Sequence, residues 1–191
     1  MDDLNDSLTA HLVDQLAYHW EHAARPRLEG LTDAEYRWEP APGTWNVRTA
    51  EEEAPAGVVV RAGAGPWLVD WAPDPDPAPV TSIAWRLGHL ITGVFGMRVH
   101  SHFGGPPADQ RDWVYAGTAD EALAQLDQTF AAWVDGVRGL GPKALDTPVG
   151  PAEGPWAEAP MITLVLHIHR EAIHHLAEVA LLRDLWAHRV D

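Results

Sequence analysis

One stretch near the C-terminus constrains the fold more than any other part of the chain. Apolar residues recur at three- and four-residue spacings from Leu164 to Arg183, which predicts one long amphipathic helix. Glu171 and His175 are four residues apart in it, so their Cβ atoms would lie about 5–6 Å apart on one helix face. His175 falls within the apolar arc, where an ionisable side chain without a partner is costly. The pair therefore predicts part of a metal site between packed helices.

The residue that could complete this site lies in a second helical segment. His89 is found in Ile83–Leu90, which has an apolar stripe of its own. We expect His89, Glu171 and His175 to bind one divalent metal. His167, one turn before Glu171, is interpreted as a supporting or surface residue, with a role as fourth ligand left open. Two neighbours are not expected to be ligands: His174, which should point away from the metal, and Glu178, which should be a supporting or solvated carboxylate.

Length, charge and composition narrow the function classes. A chain of 191 residues is long enough for one domain with a substantial core, and we expect a single domain spanning 1–191. The absence of cysteine excludes disulfides, Cys-ligated zinc and a catalytic thiol. A net charge of −15 opposes binding to nucleic acid. The N-terminal residues do not resemble a signal peptide, and no apolar run approaches the ~18 residues of a membrane span. We therefore expect a cytoplasmic protein without membrane contact.

Apolar periodicity predicts four long helices, and hence an all-α four-helix bundle. We place them at residues 3–28, 82–103, 118–138 and 161–188. The apolar stripe of the first comprises Leu4, Leu8, Leu12, Leu16, Trp20 and Ala23. Capping boxes beginning at Thr32 and Thr118 predict two of the helix starts in the chain. A long irregular insert separates the first two long helices, and within it residues 58–60 and 66–71 predict a small β-hairpin.

Three motifs carry a resemblance to a known family. They are Trp38–Val47, Thr81–Leu90 and His169–Glu178. In their order and spacing the chain resembles the DinB/YfiT-like superfamily of four-helix bundles, which includes mycothiol-dependent maleylpyruvate isomerase and the bacillithiol transferases. The resemblance implies a divalent metal held by one histidine of helix two and two ligands four apart on helix four. These positions correspond to His89, Glu171 and His175, and the glutamate is similar to the mycothiol-dependent branch.

Two histidines and one carboxylate leave coordination positions open, which is typical of a catalytic metal. Zinc is the preferred candidate, with nickel and iron(II) left open. The leading hypothesis is a metal-dependent transferase or isomerase that acts on a small-molecule substrate with a mycothiol-like thiol as cosubstrate. A metal-dependent hydrolase using activated water and a non-catalytic metal- or ligand-binding bundle are the alternatives, and a homodimer is left open. Arg86 and Arg170 are the nearest basic residues, and neither is expected clearly to face inward.

Several residues around His89 allow two interpretations. Gly93 and Gly96 either permit close helix packing or leave room over the metal for a ligand. Trp45 and Trp85 are expected to line the mouth of the site. The insert between Trp38 and Pro79 could be a lid over the open coordination position or a cap on one end of the bundle.

Overall fold

A computed structural model describes residues 2–141 and 143–190, with side chains from residue 8 onward. The protein is predominantly helical with a small antiparallel sheet, which confirms the helical class and the presence of a hairpin. The helices are α1 Asp2–His19, α2 Asp33–Tyr36, α3 Ile83–His89, α4 Met97–Phe103, α5 Ala119–Arg138 and α6 Met161–Ala187. The strands are β1 Val47–Thr49, β2 Val60–Ala62 and β3 Trp67–Trp71.

The first predicted helix continues beyond α1 in a different helical form. A π-helical segment, Trp20–Ala24, follows α1, and a short 3₁₀ turn ends at Leu28. The wider π turn shifts the phase of the buried stripe, because each of its hydrogen bonds spans one more residue than in an α-helix. Ala24 and Leu28 are therefore buried, whereas the predicted Ala23 is exposed. Leu4 lies outside the residues whose side chains are described.

The second predicted helix begins and ends where the sequence indicates but has an irregular centre. Ser82 caps α3 by accepting a hydrogen bond from Trp85 N, and Gly104 ends α4 in the left-handed conformation. Between α3 and α4 the segment Leu90–Gly96 is a π-helix that begins directly after His89. π-Helical segments are rare in proteins, and those that occur are often found at functional sites.

The sheet contains the predicted hairpin and one further strand. β2 pairs with β3 as expected, although β2 begins two residues later than predicted. β1 pairs with the other edge of β3, which gives the strand order β1-β3-β2. Val47, Ala62 and Val69 of the sheet belong to the same hydrophobic core as the helices. The insert is thus packed into the core through its sheet.

α5 and α6 complete the core around α3. Thr118 caps α5 by accepting from Glu121 N at 3.3 Å, and Trp133 is fully buried between the helices. α3 packs against α5, α6, β1 and β3, which fixes the position of His89 at its C-terminal end. Across the described residues, every helix is too short or too polar to cross a lipid bilayer.

Candidate metal centre

The structure places two of the predicted ligands, His89 and Glu171, next to the third, His175. The rings of His89 and His175 meet edge to face, with their centroids 4.8 Å apart. The Nε2 atom of His175 lies 3.5 Å from Oε2 of Glu171, one turn earlier on α6. α3 and α6 therefore bring His89 and Glu171 each close to His175.

Glu178 fixes the orientation of the His175 ring. Its Oε2 atom lies 2.6 Å from Nδ1 of His175. Because a carboxylate can only accept a hydrogen bond, Nδ1 must carry the proton. The lone pair of the neutral ring is then on Nε2, the nitrogen that lies beside Glu171. Metal-binding histidines commonly donate their other ring N–H to a carboxylate in this way.

Arg86 supports Glu178 from α3. Its Nε atom lies 3.2 Å from Oε2 of Glu178, and its Nη1 atom lies 3.3 Å from Nδ1 of His175. Burial lowers the pKa of Arg86, and the charge of Glu178 opposes that effect. Arg86 was not expected clearly to face inward, but its side chain packs between α3 and α6, against the candidate ligand His175 and against Glu178. A helical wheel could not show this, because α3 has packing partners on several sides.

A second cluster of donors lies on the other edge of His175. One ligand atom each from His174, His175 and Glu178 can be chosen so that all lie within 4.8 Å of one another. Sequence reasoning did not identify this group, since His174 was expected to point away from the metal. A metal bound at this cluster through Nδ1 of His175 would lie beside the Arg86 guanidinium, whose Nη1 atom is 3.3 Å from that nitrogen. A fixed cation at that nitrogen disfavours a second one, so the electrostatics favour the Nε2 edge.

The surroundings of His89 keep its ring neutral and confined. The Trp85 ring stacks on the His89 ring with centroids 5.5 Å apart and an angle of 17° between the planes. Burial, together with the nearby His175, Arg86 and Arg98, lowers the pKa of His89 to about 4. Burial also lowers the pKa of His175, although Glu178 acts in the opposite direction. Both imidazoles are thus neutral at neutral pH, the form that binds metals.

The two glycines of the π-helical segment have different surroundings. A Cβ on Gly93 would lie 3.1 Å from Nδ1 and 3.3 Å from Cε1 of His89. A Cβ on Gly96 would lie 2.7 Å from the carbonyl oxygen of Ile91 and 3.3 Å from Cβ of Ala108. Gly96 is therefore a packing residue, whereas Gly93 leaves space for the His89 ring.

The Trp38–Val47 motif anchors the start of α3. Ser82 donates to Oδ1 of Asn46 at 2.5 Å, and the backbone of Trp45 bonds to Val80 and Ser82 on either side. Trp85 donates from Nε1 to the carbonyl of Asp70 in β3 at 2.8 Å. The insert therefore holds the tryptophan that stacks on His89, and its contacts are those of a support built into the core.

His167 and Arg170 lie at the outer edge of the site. Nη2 of Arg170 lies 2.7 Å from Nδ1 of His167, which lies 3.6 Å from Oε1 of Glu171. Since Arg170 can only donate, Nδ1 of His167 accepts and its Nε2 carries the proton. That tautomer leaves no free lone pair on the His167 ring, in keeping with the interpretation of His167 as a supporting or surface residue.

Comparison with family models agrees with this architecture. Residues 65–179 match the model of the DinB superfamily, and this segment includes His89, Glu171 and His175. Because the match covers more than half of the chain, the protein belongs to the DinB superfamily. Comparisons with curated proteins and with solved structures found no significant match.

The donor set fits the divalent metal that the superfamily implies. Two neutral imidazoles and a carboxylate suit zinc, nickel or iron(II) and leave coordination positions free. Glu178 supplies the outer hydrogen bond that such a histidine ligand requires. The chemistry of these residues therefore fits the metal, although within the described residues their ligand atoms are not all within 4.8 Å of one another, as those of His174, His175 and Glu178 are.

Proposed function

We propose that His89, Glu171 and His175 bind one divalent metal, with zinc as the preferred ion. The observation that carries this proposal is the 2.6 Å hydrogen bond between His175 Nδ1 and Glu178. It leaves Nε2 available beside Glu171. The role of Glu178 is to orient His175, and the role of Arg86 is to hold Glu178 in place.

We further propose that α1, the segment from α3 to α4, α5 and α6 are the four helices of a DinB-type bundle. Contacts of α1 with α5 and α6, and of α3 with the same two helices, support this arrangement. The sheet of the insert shares their core, which supports a single domain over residues 1–191.

The function that this site supports best is that of a metal-dependent transferase or isomerase with a low-molecular-weight thiol of the mycothiol type as cosubstrate. A bound divalent ion would supply Lewis acidity that favours the thiolate of such a cosubstrate. The chain has no cysteine, so the thiol must come from outside. Glu171 contributes the negative charge of the ligand set, and the stacked Trp85 confines His89 to one orientation.

Thermal unfolding with matched ligands tests the thiol hypothesis. Metal-loaded protein should gain stability with mycothiol and not with S-methyl mycothiol, because only the free thiol can form a thiolate. Metal-stripped protein should not distinguish the two. Bacillithiol and glutathione tested in parallel show which thiol is preferred. Equal stabilisation by the thiol and its S-methyl derivative would contradict the hypothesis, and turnover of ester or amide substrates without any thiol would favour the hydrolase.

A further inference from the structure

A cavity of about 650 Å³ lies beside the candidate metal centre. It is formed by the first turns of α6, the preceding loop and Arg98 of α4. The volume is within the range of small-molecule sites, which is about 300–1,000 Å³. Its walls are largely apolar and are formed by Val149, Trp156, Ala159, Leu164 and Leu166.

One side of the cavity is polar. Thr163, His167 and Arg170 recur at four- and three-residue spacings on α6 and all line it. The Arg170 side chain is 70% exposed, and its contacts with His167 and Glu171 leave some of its five N–H donors free to bind a ligand. The neutral tautomer of His167 derived above provides a further N–H donor.

The charge of the cavity is opposite to that of the whole chain. Two guanidinium groups, Arg98 and Arg170, line it together with one carboxylate, Glu153. Glu153 is bound at 3.2 Å by Arg98 and at 2.9 Å by His102. The lining thus has an excess of positive charge in a chain with a net charge of −15. An anionic ligand would be repelled by most of the surface and attracted here.

We propose that this cavity binds an apolar organic carboxylate, with its carboxylate at Arg170 and His167 and its apolar body against Trp156 and Val149. Arg170 and the metal ligand Glu171 are adjacent, and Nε of Arg170 lies 3.8 Å from Oε1 of Glu171. The carboxylate end of the ligand is therefore the end nearest the metal centre. The assignment of this ligand as the substrate rests on the proposed function, whereas its binding does not require the metal.

Calorimetric titration with a matched pair of probes tests this proposal. 2-Naphthylacetate and its neutral amide have the same shape and differ in charge. We expect saturable binding of the carboxylate, and binding of the amide about tenfold weaker because the charged hydrogen bond is lost. The Arg170→Gln variant should bind the carboxylate about tenfold more weakly and the amide unchanged. Trp156→Ala should weaken both probes, since it removes an apolar wall.

The control variant is Arg27→Gln, which removes the same charge at the opposite end of α6, where Arg27 contacts Asp184. It should bind both probes as the unaltered protein does. Equal affinity for the two probes, or equal losses in Arg170→Gln and Arg27→Gln, would overturn the proposal. Titrations of metal-stripped protein separate this proposal from the proposed function. Probe binding by protein that holds no metal would support the cavity proposal alone. Protein that loads metal but does not bind the probe would contradict the cavity proposal.

Discussion

Nδ1 of His175 lies 2.6 Å from Oε2 of Glu178, and this contact determines which edge of the histidine can receive a metal. The proton on Nδ1 leaves the ring lone pair on Nε2, beside Glu171. Arg86 lies against both members of the pair, so a half-buried cation lies at the Nδ1 edge of the ring. The metal centre that we propose depends on this relationship.

Removing the charge of Glu178 should weaken metal binding without abolishing it. In the Glu178→Gln variant the amide oxygen can still accept from Nδ1, but the charge that raises the basicity of the ring is lost. We expect metal affinity to fall by about 10- to 100-fold, the range found for outer partners of metal ligands. Competition with a chelator measures the loss. Glu21→Gln alters an exposed residue of the π-helical segment after α1 and is the control; this variant should bind metal normally. A loss as complete as that of Glu171→Gln would instead make Glu178 a ligand.

Substitution of Gly93 should separate metal affinity from helix stability. In Gly93→Ala the new Cβ would lie 3.1 Å from Nδ1 of His89, so the ring must shift. Alanine also favours helical backbone by about 1 kcal/mol over glycine, so the metal-free fold should not be weakened by propensity. We expect the melting temperature of metal-free protein to be retained and metal affinity to fall about tenfold. Gly139→Ala, at the C-cap of α5, is the matched control, because its new Cβ would be 3.4 Å from the nearest atom, an ordinary contact. Unchanged affinity in Gly93→Ala would show that the His89 ring is not held tightly there.

A buried histidine should make metal-free protein sensitive to mild acid. Burial lowers the pKa of His169 to about 4, whereas histidine in an unfolded chain has a pKa of about 6.5. Between these values the unfolded chain binds a proton that the folded chain does not, so stability present above about pH 6.5 is lost as the pH falls to about 4. The loss is on the order of 3 kcal/mol.

Urea unfolding of metal-stripped protein at pH 7.5 and pH 4.5 measures this loss. His169→Leu should lose less stability between the two conditions than the unaltered protein does. The exposed substitution His11→Gln should behave as the unaltered protein. Equal losses for His169→Leu and the unaltered protein would show that His169 does not contribute to the loss.

Much of the helical framework could be predicted because its signals are local. Ser82 and Thr118 accept capping hydrogen bonds from residues three positions later, and Gly104 ends α4. These features are visible in the sequence because they depend on neighbouring residues. The π-helical segments are not, since their wider turns change the phase of burial from Ala23 to Ala24 without an obvious residue pattern.

The missed features depend on tertiary packing. β1 is only three residues long, and it is defined by its pairing with β3, about twenty residues later. The direction in which the Arg86 side chain points depends on which face of α3 packs against α6. The cavity beside His167 depends on how the loop before α6 folds back, and its apolar and polar residues are not contiguous in the sequence. The sequence therefore predicted the ligand candidates and a supporting or solvated role for Glu178, but not the position of Arg86 beside it.

The metal content of four variants tests the central claim most directly. Elemental analysis of the unaltered protein should find about one divalent ion per chain, since one set of three ligands is proposed. His89→Ala, Glu171→Gln and His175→Ala should each lose the metal while circular dichroism shows an intact fold. His174→Ala should keep it, because the 63% exposed His174 side chain belongs to the second cluster and not to the proposed ligand set. Loss of metal from His174→Ala with full occupancy in His89→Ala would contradict the account and place the ion at His174, His175 and Glu178.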